Sequence, residues 1–207
     1  MKLEFDAKTH TYSAEGRHVP GVTGVISPLE PFEGIPLHIK QQALERGTLV
    51  HKLTELWDDD AITNDMWLDI EEAGLEGYLI AWEAFKRDVV QEIVQSEQKV
   101  FSKKYWYAGT CDRVVRIKDR LAVLEIKTGG LVDAYGLQTA AYKAALNETV
   151  VCTCRNQSRP CTCFIDDRYV VVLKPDGTYT MAKHNDPTDF QTFIAALTIA
   201  NWKASHK

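Results

Sequence analysis

Asp112, Glu125 and Lys127, two acids and a lysine, are the equipment that metal-assisted phosphodiester hydrolysis uses. Glu125 and Lys127 stand two apart in the apolar-rich run LAVLEIK. On a strand they point the same way, roughly 6–7 Å apart. Asp112 lies thirteen positions before Glu125, in the run YAGTCDRVVRI, with Lys118-Asp119-Arg120 as the turn between. A two-residue loop of Lys118 and Asp119 sets Asp112 opposite Glu125, and a loop of Asp119 and Arg120 sets it opposite Lys127. Either register puts all three on one face; a three-residue loop without a bulge would not. Directly opposed Cβ atoms lie ~4.5–5.5 Å apart, and two ionised carboxylates that close repel unless a cation lies between them or one takes a proton. Mg²⁺ or Mn²⁺ suits such oxygen donors, and the Ile126 carbonyl could add one more. Such an ion acidifies a water and neutralises phosphoryl charge, while Lys127 would hold the attacking water or steady the phosphate. A cross-strand salt bridge is the structural alternative for the same side chains.

These side chains need a sheet beneath them and helices around them. Residues 3–26 alternate apolar and polar about Ala14-Glu15-Gly16, which predicts an N-terminal β-hairpin within 1–30, followed by a Gly- and Pro-punctuated connector. A helix is expected over Leu37–Trp57, with Ile39, Ala43, Leu49, Leu53 and Leu56 as its apolar stripe. A second long helix is expected over Trp67–Gln91, with Gly74 and Gly77 as weak points. Strand-like runs follow at 92–100, Tyr105–Ile117 and Leu121–Lys127, then a helix over Asp133–Leu146. Tyr169–Leu173 and Tyr179–Ala182 flank Lys174-Pro175-Asp176-Gly177 as a hairpin, and a last helix opens at Asn185-Asp186-Pro187. The order predicts an α/β fold, a mixed central sheet flanked by helices, as one domain over 1–207. Its parts are the hairpin (1–30), a core (37–146), a cysteine insert (150–164), and a C-terminal hairpin and helix (165–207).

No apolar run nears the ~20 residues of a membrane span, and MKLEFDAKTHTY has no signal-peptide core, so a cytoplasmic protein with reduced cysteines is expected. The net charge of −5 argues against coating nucleic acid by bulk attraction, but not against a local basic groove. Lys103, Lys104, Arg113 and Arg116 crowd the central hairpin and are expected to meet a DNA backbone, with Tyr105, Trp106 and Tyr107 as stacking surfaces. Ordinary solvated strand-edge charges are the alternative. A linear DNA end or single strand is the expected substrate, and the absence of GxxxxGK[ST] leaves the chain without a nucleotide-driven motor of its own. Cys152, Cys154, Cys161 and Cys163 form two C-x-C pairs six residues apart, a set that could close a tetrahedral Zn²⁺ site or stay as free thiols. Cys111, beside Asp112, is expected to face away from the site into the core.

The motifs GTCD, LEIKTG and LQTAAY follow in that order, with RGTLVH upstream, over Gly47 to Tyr142. This ladder resembles the PD-(D/E)XK nuclease superfamily, and within it the RecB-like exonuclease branch. The resemblance implies a restriction-endonuclease-like core, Asp112 and Glu125 as metal ligands and Lys127 as the catalytic lysine. It also implies His51 as a further metal ligand, and Gln138 and Tyr142, four apart on one helix face, as contacts to phosphate or water. Glu97 is offered as an extra carboxylate, and Glu55, one turn after His51, as its partner or a solvent-facing acid. The implied activity is a metal-dependent DNA exonuclease of recombination or DNA processing. A compact stand-alone format suits a phage-encoded enzyme working with a recombination partner protein, and oligomers stay open. The same core would serve an endonuclease, or, with its site retired, a module gripping a partner through the cysteine insert. The intact D…E-x-K triad speaks against the last.

Overall fold

A computed structural model describes residues 2–7, 9–150 and 163–206. The N-terminal alternation forms three strands rather than two: β1 (Leu3–Asp6), β2 (Thr11–Ala14) and β3 (Arg17–Val19), an antiparallel sheet of their own. Its second turn is the expected Glu15-Gly16 break, where both residues have positive φ (52° and 71°), the backbone a tight hairpin demands. The Gly-punctuated stretch after it holds an element that was not expected. Val22, Val25 and Ile26 recur at helical spacing and are buried, so Val22–Ile26 forms a short helix, α1.

Next come α2 (Leu37–Asp58), α3 (Asn64–Glu72), α4 (Glu76–Val89), β4 (Glu92–Ser102), β5 (Tyr107–Ile117), β6 (Arg120–Lys127), α5 (Ala134–Glu148), β7 (Ile165–Leu173), β8 (Tyr179–Lys183) and α6 (Asp189–Ser205). The main sheet has the order β4-β5-β6-β7-β8. Its neighbours are antiparallel except β6 and β7, which are parallel because the connection between them carries α5. One face packs on α2, α3 and α4 through Val50, Ile70, Leu79, Trp82 and Phe85. The other packs on α1, α5 and α6 through Val22, Leu137, Tyr142 and Phe193. Strands covered on both faces explain near-continuous apolar runs such as YVVVL in β7. The chain is thus α/β, with a mixed five-stranded sheet flanked by helices and a separate N-terminal antiparallel sheet. Among the described residues no helix is long and apolar enough to cross a membrane.

Two helices depart from the sequence reading. The long helix expected over Trp67–Gln91 is two, because Gly74 (φ 65°) ends α3 in the left-handed conformation. In α2 the expected stripe is only partly used: Ile39 and Leu49 are 45% and 53% exposed, and the buried residues are Val50 and Thr54. Val50, Leu53 and Trp57 are the residues of α2 that join or pack against the core it shares with α3 and α4.

Gly77, a weak point in the sequence, marks a close approach. A Cβ there would lie 1.9 Å from the Pro175 carbonyl oxygen in the turn between β7 and β8. Gly77→Ala should therefore cost about 1–3 kcal/mol through overpacking, more than the helix propensity of alanine returns. A urea midpoint equal to that of the wild type would refute the contact.

Candidate active site

The turn between β5 and β6 has two residues, Lys118 and Asp119, with φ of 50° and 61°. Pairing runs from Ile117↔Arg120 to Arg113↔Leu124, which brings Asp112 up to Glu125. The regular ladder stops there. Beyond it the Asp112 carboxylate replaces the backbone partner, its Oδ2 accepting the Ile126 N–H at 2.7 Å. The alternation of β5 also slips at this point, since Cys111 and Val114 both pack into the core on the α5 side. Asp112 thus reaches β6 across a splay in the sheet rather than from a regular cross-strand pair. Cys111 is buried in the core.

Glu125 and Lys127 stay on the α5 side of β6. Lys127 Nζ lies 2.9 Å from Glu125 Oε1, and Gln138 Nε2 donates to the same oxygen at 2.6 Å. Gln138 also donates to the Tyr142 hydroxyl at 3.1 Å, so α5 holds the acid through Gln138, which Tyr142 anchors one turn on. Gly109 makes room for this: a Cβ there would lie 2.5 Å from the Tyr142 ring. With both donors on Oε1, Glu125 Oε2 is buried without a hydrogen-bond partner. Burial and the Asp112 charge raise the Glu125 pKa to about 7, against the pull of Lys127.

His51 enters from α2. Its Nε2 donates to the Ile126 carbonyl at 3.0 Å, and its Nδ1 lies 3.4 Å from Asp112 Oδ1. Burial disfavours the imidazolium, but the charge and hydrogen bond of Asp112, with Glu125 beyond, outweigh it and raise the pKa to about 9. Burial likewise opposes ionised Asp112, yet His51, Lys127 and the Ile126 N–H hold its pKa below the usual value. Glu97, whose φ is 48°, stands opposite Asp112 between the pairs Ser96↔Arg113 and Gln98↔Cys111. Ligand atoms of His51, Glu97 and Asp112 lie within 4.8 Å of one another.

This donor set fits a hard divalent cation. The ligand atoms gathered together are those of His51, Glu97 and Asp112, a group that could hold such an ion, with the Ile126 carbonyl beside His51 and the unpaired Glu125 Oε2 buried on β6. Protonated His51 already supplies positive charge to the oxygens such an ion would take. Ion binding must therefore release protons. Both raised pKa values act in one direction. Glu125 stabilises the fold fully below its unfolded value of 4.5 and loses this as pH rises through about 7; His51 does so from 6.5 through about 9. The metal-free melting temperature should fall between pH 6 and pH 9, and the increment from Mn²⁺ or Mg²⁺ should grow over that window. A pH-independent increment in thermal melts would contradict this.

Several sequence assignments are corrected. Arg113, expected on DNA, is fully buried. Its guanidinium pairs with Asp58 at 3.1 Å and Glu97 at 3.3 Å and donates to the Asp112 carbonyl at 2.8 Å and to Thr54 Oγ1 at 3.3 Å. Arginine in a strand gave no signal of this, because the alternation slips beside it. Tyr107 is no stacking surface either: it is buried and donates to the Ala141 carbonyl. Arg116 is half-buried and pairs with Glu92 at 3.0 Å, while Lys103 and Lys104 are exposed in the turn between β4 and β5. Glu55 takes the second of its two expected roles, a helix-surface acid, and pairs with Lys52. Ile126 turns its side chain into the core and leaves its carbonyl at the site. Of the cysteine insert, Cys152, Cys154 and Cys161 lie outside the described residues, and Cys163 is half-buried.

No family model matches the chain, and no curated protein is similar to it. Among solved structures, that of SSO0001 is similar over 90% of this chain and 76% of its own, at 17% identity and a TM-score of 0.39. At that distance the likeness carries no statement about chemistry.

Proposed function

We propose that this chain is a metal-dependent deoxyribonuclease with a restriction-endonuclease-like core, of the RecB-like PD-(D/E)XK type, acting as an exonuclease on a linear DNA end or single strand. The observation that carries the reading is the convergence of Asp112, Glu125 and Lys127 with His51 and the Ile126 carbonyl, with a buried carboxylate oxygen of Glu125 left unpaired. A salt bridge serving stability alone needs no third acid, no histidine and no orphaned oxygen, and burying one is costly.

Bound Mg²⁺ or Mn²⁺ would supply Lewis acidity toward a phosphoryl oxygen and acidify a water. Asp112 and Glu125 would hold it, with the Ile126 carbonyl and deprotonated His51 completing the protein donors. Gln138 keeps Glu125 Oε1 occupied, so that Oε2 is the oxygen left for the ion. Lys127 gives one N–H to Glu125 and keeps donors for the attacking water or a phosphate oxygen, where charge develops. Exposed Lys103 and Lys104 remain candidates for the DNA backbone.

The test is hydrolysis of end-labelled linear DNA with Mg²⁺ or Mn²⁺ by wild type, Asp112→Ala and Lys127→Ala. Cleavage by wild type alone is expected, with closed circular DNA left intact. Activity persisting in both variants would sink the mechanism, and nicking of circles would turn the reading to an endonuclease.

A further inference from the structure

The nuclease reading uses Gln138 and Tyr142 of α5, yet the same helix face carries a second aromatic, one turn before Gln138. Tyr135 stands three residues before Gln138 and seven before Tyr142, so all three line one stripe. Its side chain is buried, and the Lys127 ammonium lies over its ring, 4.6 Å from the centroid. Its backbone is fixed as well: the Tyr135 N–H donates to the Val132 carbonyl, and its own carbonyl accepts from the buried Thr139 hydroxyl at 3.0 Å.

We propose that Tyr135 is a positioning residue whose ring face holds the Lys127 ammonium against Glu125. The inference rests on the nuclease reading for its consequence, though not for the contact itself. A lysine has four methylenes and many rotamers, and one carboxylate contact does not select among them. Glu125 takes one donor at 2.9 Å, and the ring covers another side without competing as a strong acceptor. That leaves an N–H of the ammonium for water or a phosphate oxygen. An aliphatic residue would fill the volume and lose the attraction, whereas phenylalanine would keep it, because the ring and not the hydroxyl does the holding.

The decisive measurements compare wild type, Tyr135→Phe and Tyr135→Leu. In metal-free protein the Lys127 ε-methylene signal, assigned by its absence in Lys127→Met, should lie upfield of the other lysines through the ring current. It should stay there in Tyr135→Phe and return to the ordinary lysine position in Tyr135→Leu. On linear DNA with Mn²⁺, Tyr135→Leu should lower kcat about tenfold with KM unchanged, and Tyr135→Phe should restore it. An ordinary Lys127 shift in wild type overturns the proposal whatever the Tyr135 variants do. So does an active wild type whose kcat is indifferent to Tyr135→Leu. The spectroscopic comparison needs no catalysis: the expected shifts in a chain that fails to cut DNA would support the contact and overturn the nuclease reading instead.

Discussion

Lys127→Met is expected to reduce phosphodiester cleavage by about 10²–10³-fold, the range seen when one preorganised donor to developing charge is removed, while the fold and cation binding survive. Methionine keeps the length and apolar stem of lysine, so packing against Tyr135 is retained. What disappears is the positive charge 2.9 Å from Glu125 Oε1. Glu125 and Asp112 then repel with less compensation, and the Glu125 pKa, already raised to about 7, moves further up. A divalent cation gains from the same change, since it no longer competes with an ammonium for Glu125. Calorimetric Mn²⁺ titration at pH 8 should accordingly show affinity equal to or tighter than wild type, alongside the lost rate. Single-turnover cleavage within threefold of wild type would remove Lys127 from the chemistry. Loss of both activity and Mn²⁺ binding would instead mean that Lys127 only supports the structure.

Arg113→Met should lower stability by about 3–5 kcal/mol, the usual consequence of stranding the partners of a buried charge. The side chain is fully buried, and Asp58 is nearly so, at 8%. Asp58 also takes the Trp82 indole N–H at 2.8 Å and the Lys86 ammonium at 2.9 Å, which ties the end of α2 to α4. Through Thr54, whose hydroxyl donates to the His51 carbonyl at 2.8 Å, the same network reaches the helical turn that carries His51. Arg113 therefore holds three elements of the candidate site together: Glu97 of β4, Asp112 of β5 and the His51 turn of α2. A lysine could not replace it, having no planar fork to serve several acceptors. In urea melts, a cost below about 1 kcal/mol for Arg113→Met would show that the network behaves like a surface pair.

The local signals in the chain determined a good deal. Alternation set the strands of the central hairpin, and the two-residue turn of Lys118 and Asp119 was legible as one of two loops, but the shared face expected for Asp112, Glu125 and Lys127 was broken by the slip in β5. Four-residue spacing put Gln138 and Tyr142 on one side of a helix, and the turn at Glu15-Gly16 was legible as a break in the N-terminal alternation. These features depend on φ/ψ preferences and side-chain periodicity, which act over a few residues. The rest came from packing between elements distant in the chain. That Asp112 takes the Ile126 N–H, that Arg113 points inward and that Tyr135 covers Lys127 all follow from where β5 and β6 part and how α2 and α5 close over the gap. One slipped position in β5 exchanged the faces of its neighbours, so an arginine expected on DNA became the buried clamp of the site. Periodicity assigns a residue to a face of its own strand; which atoms meet there depends on elements tens of residues away.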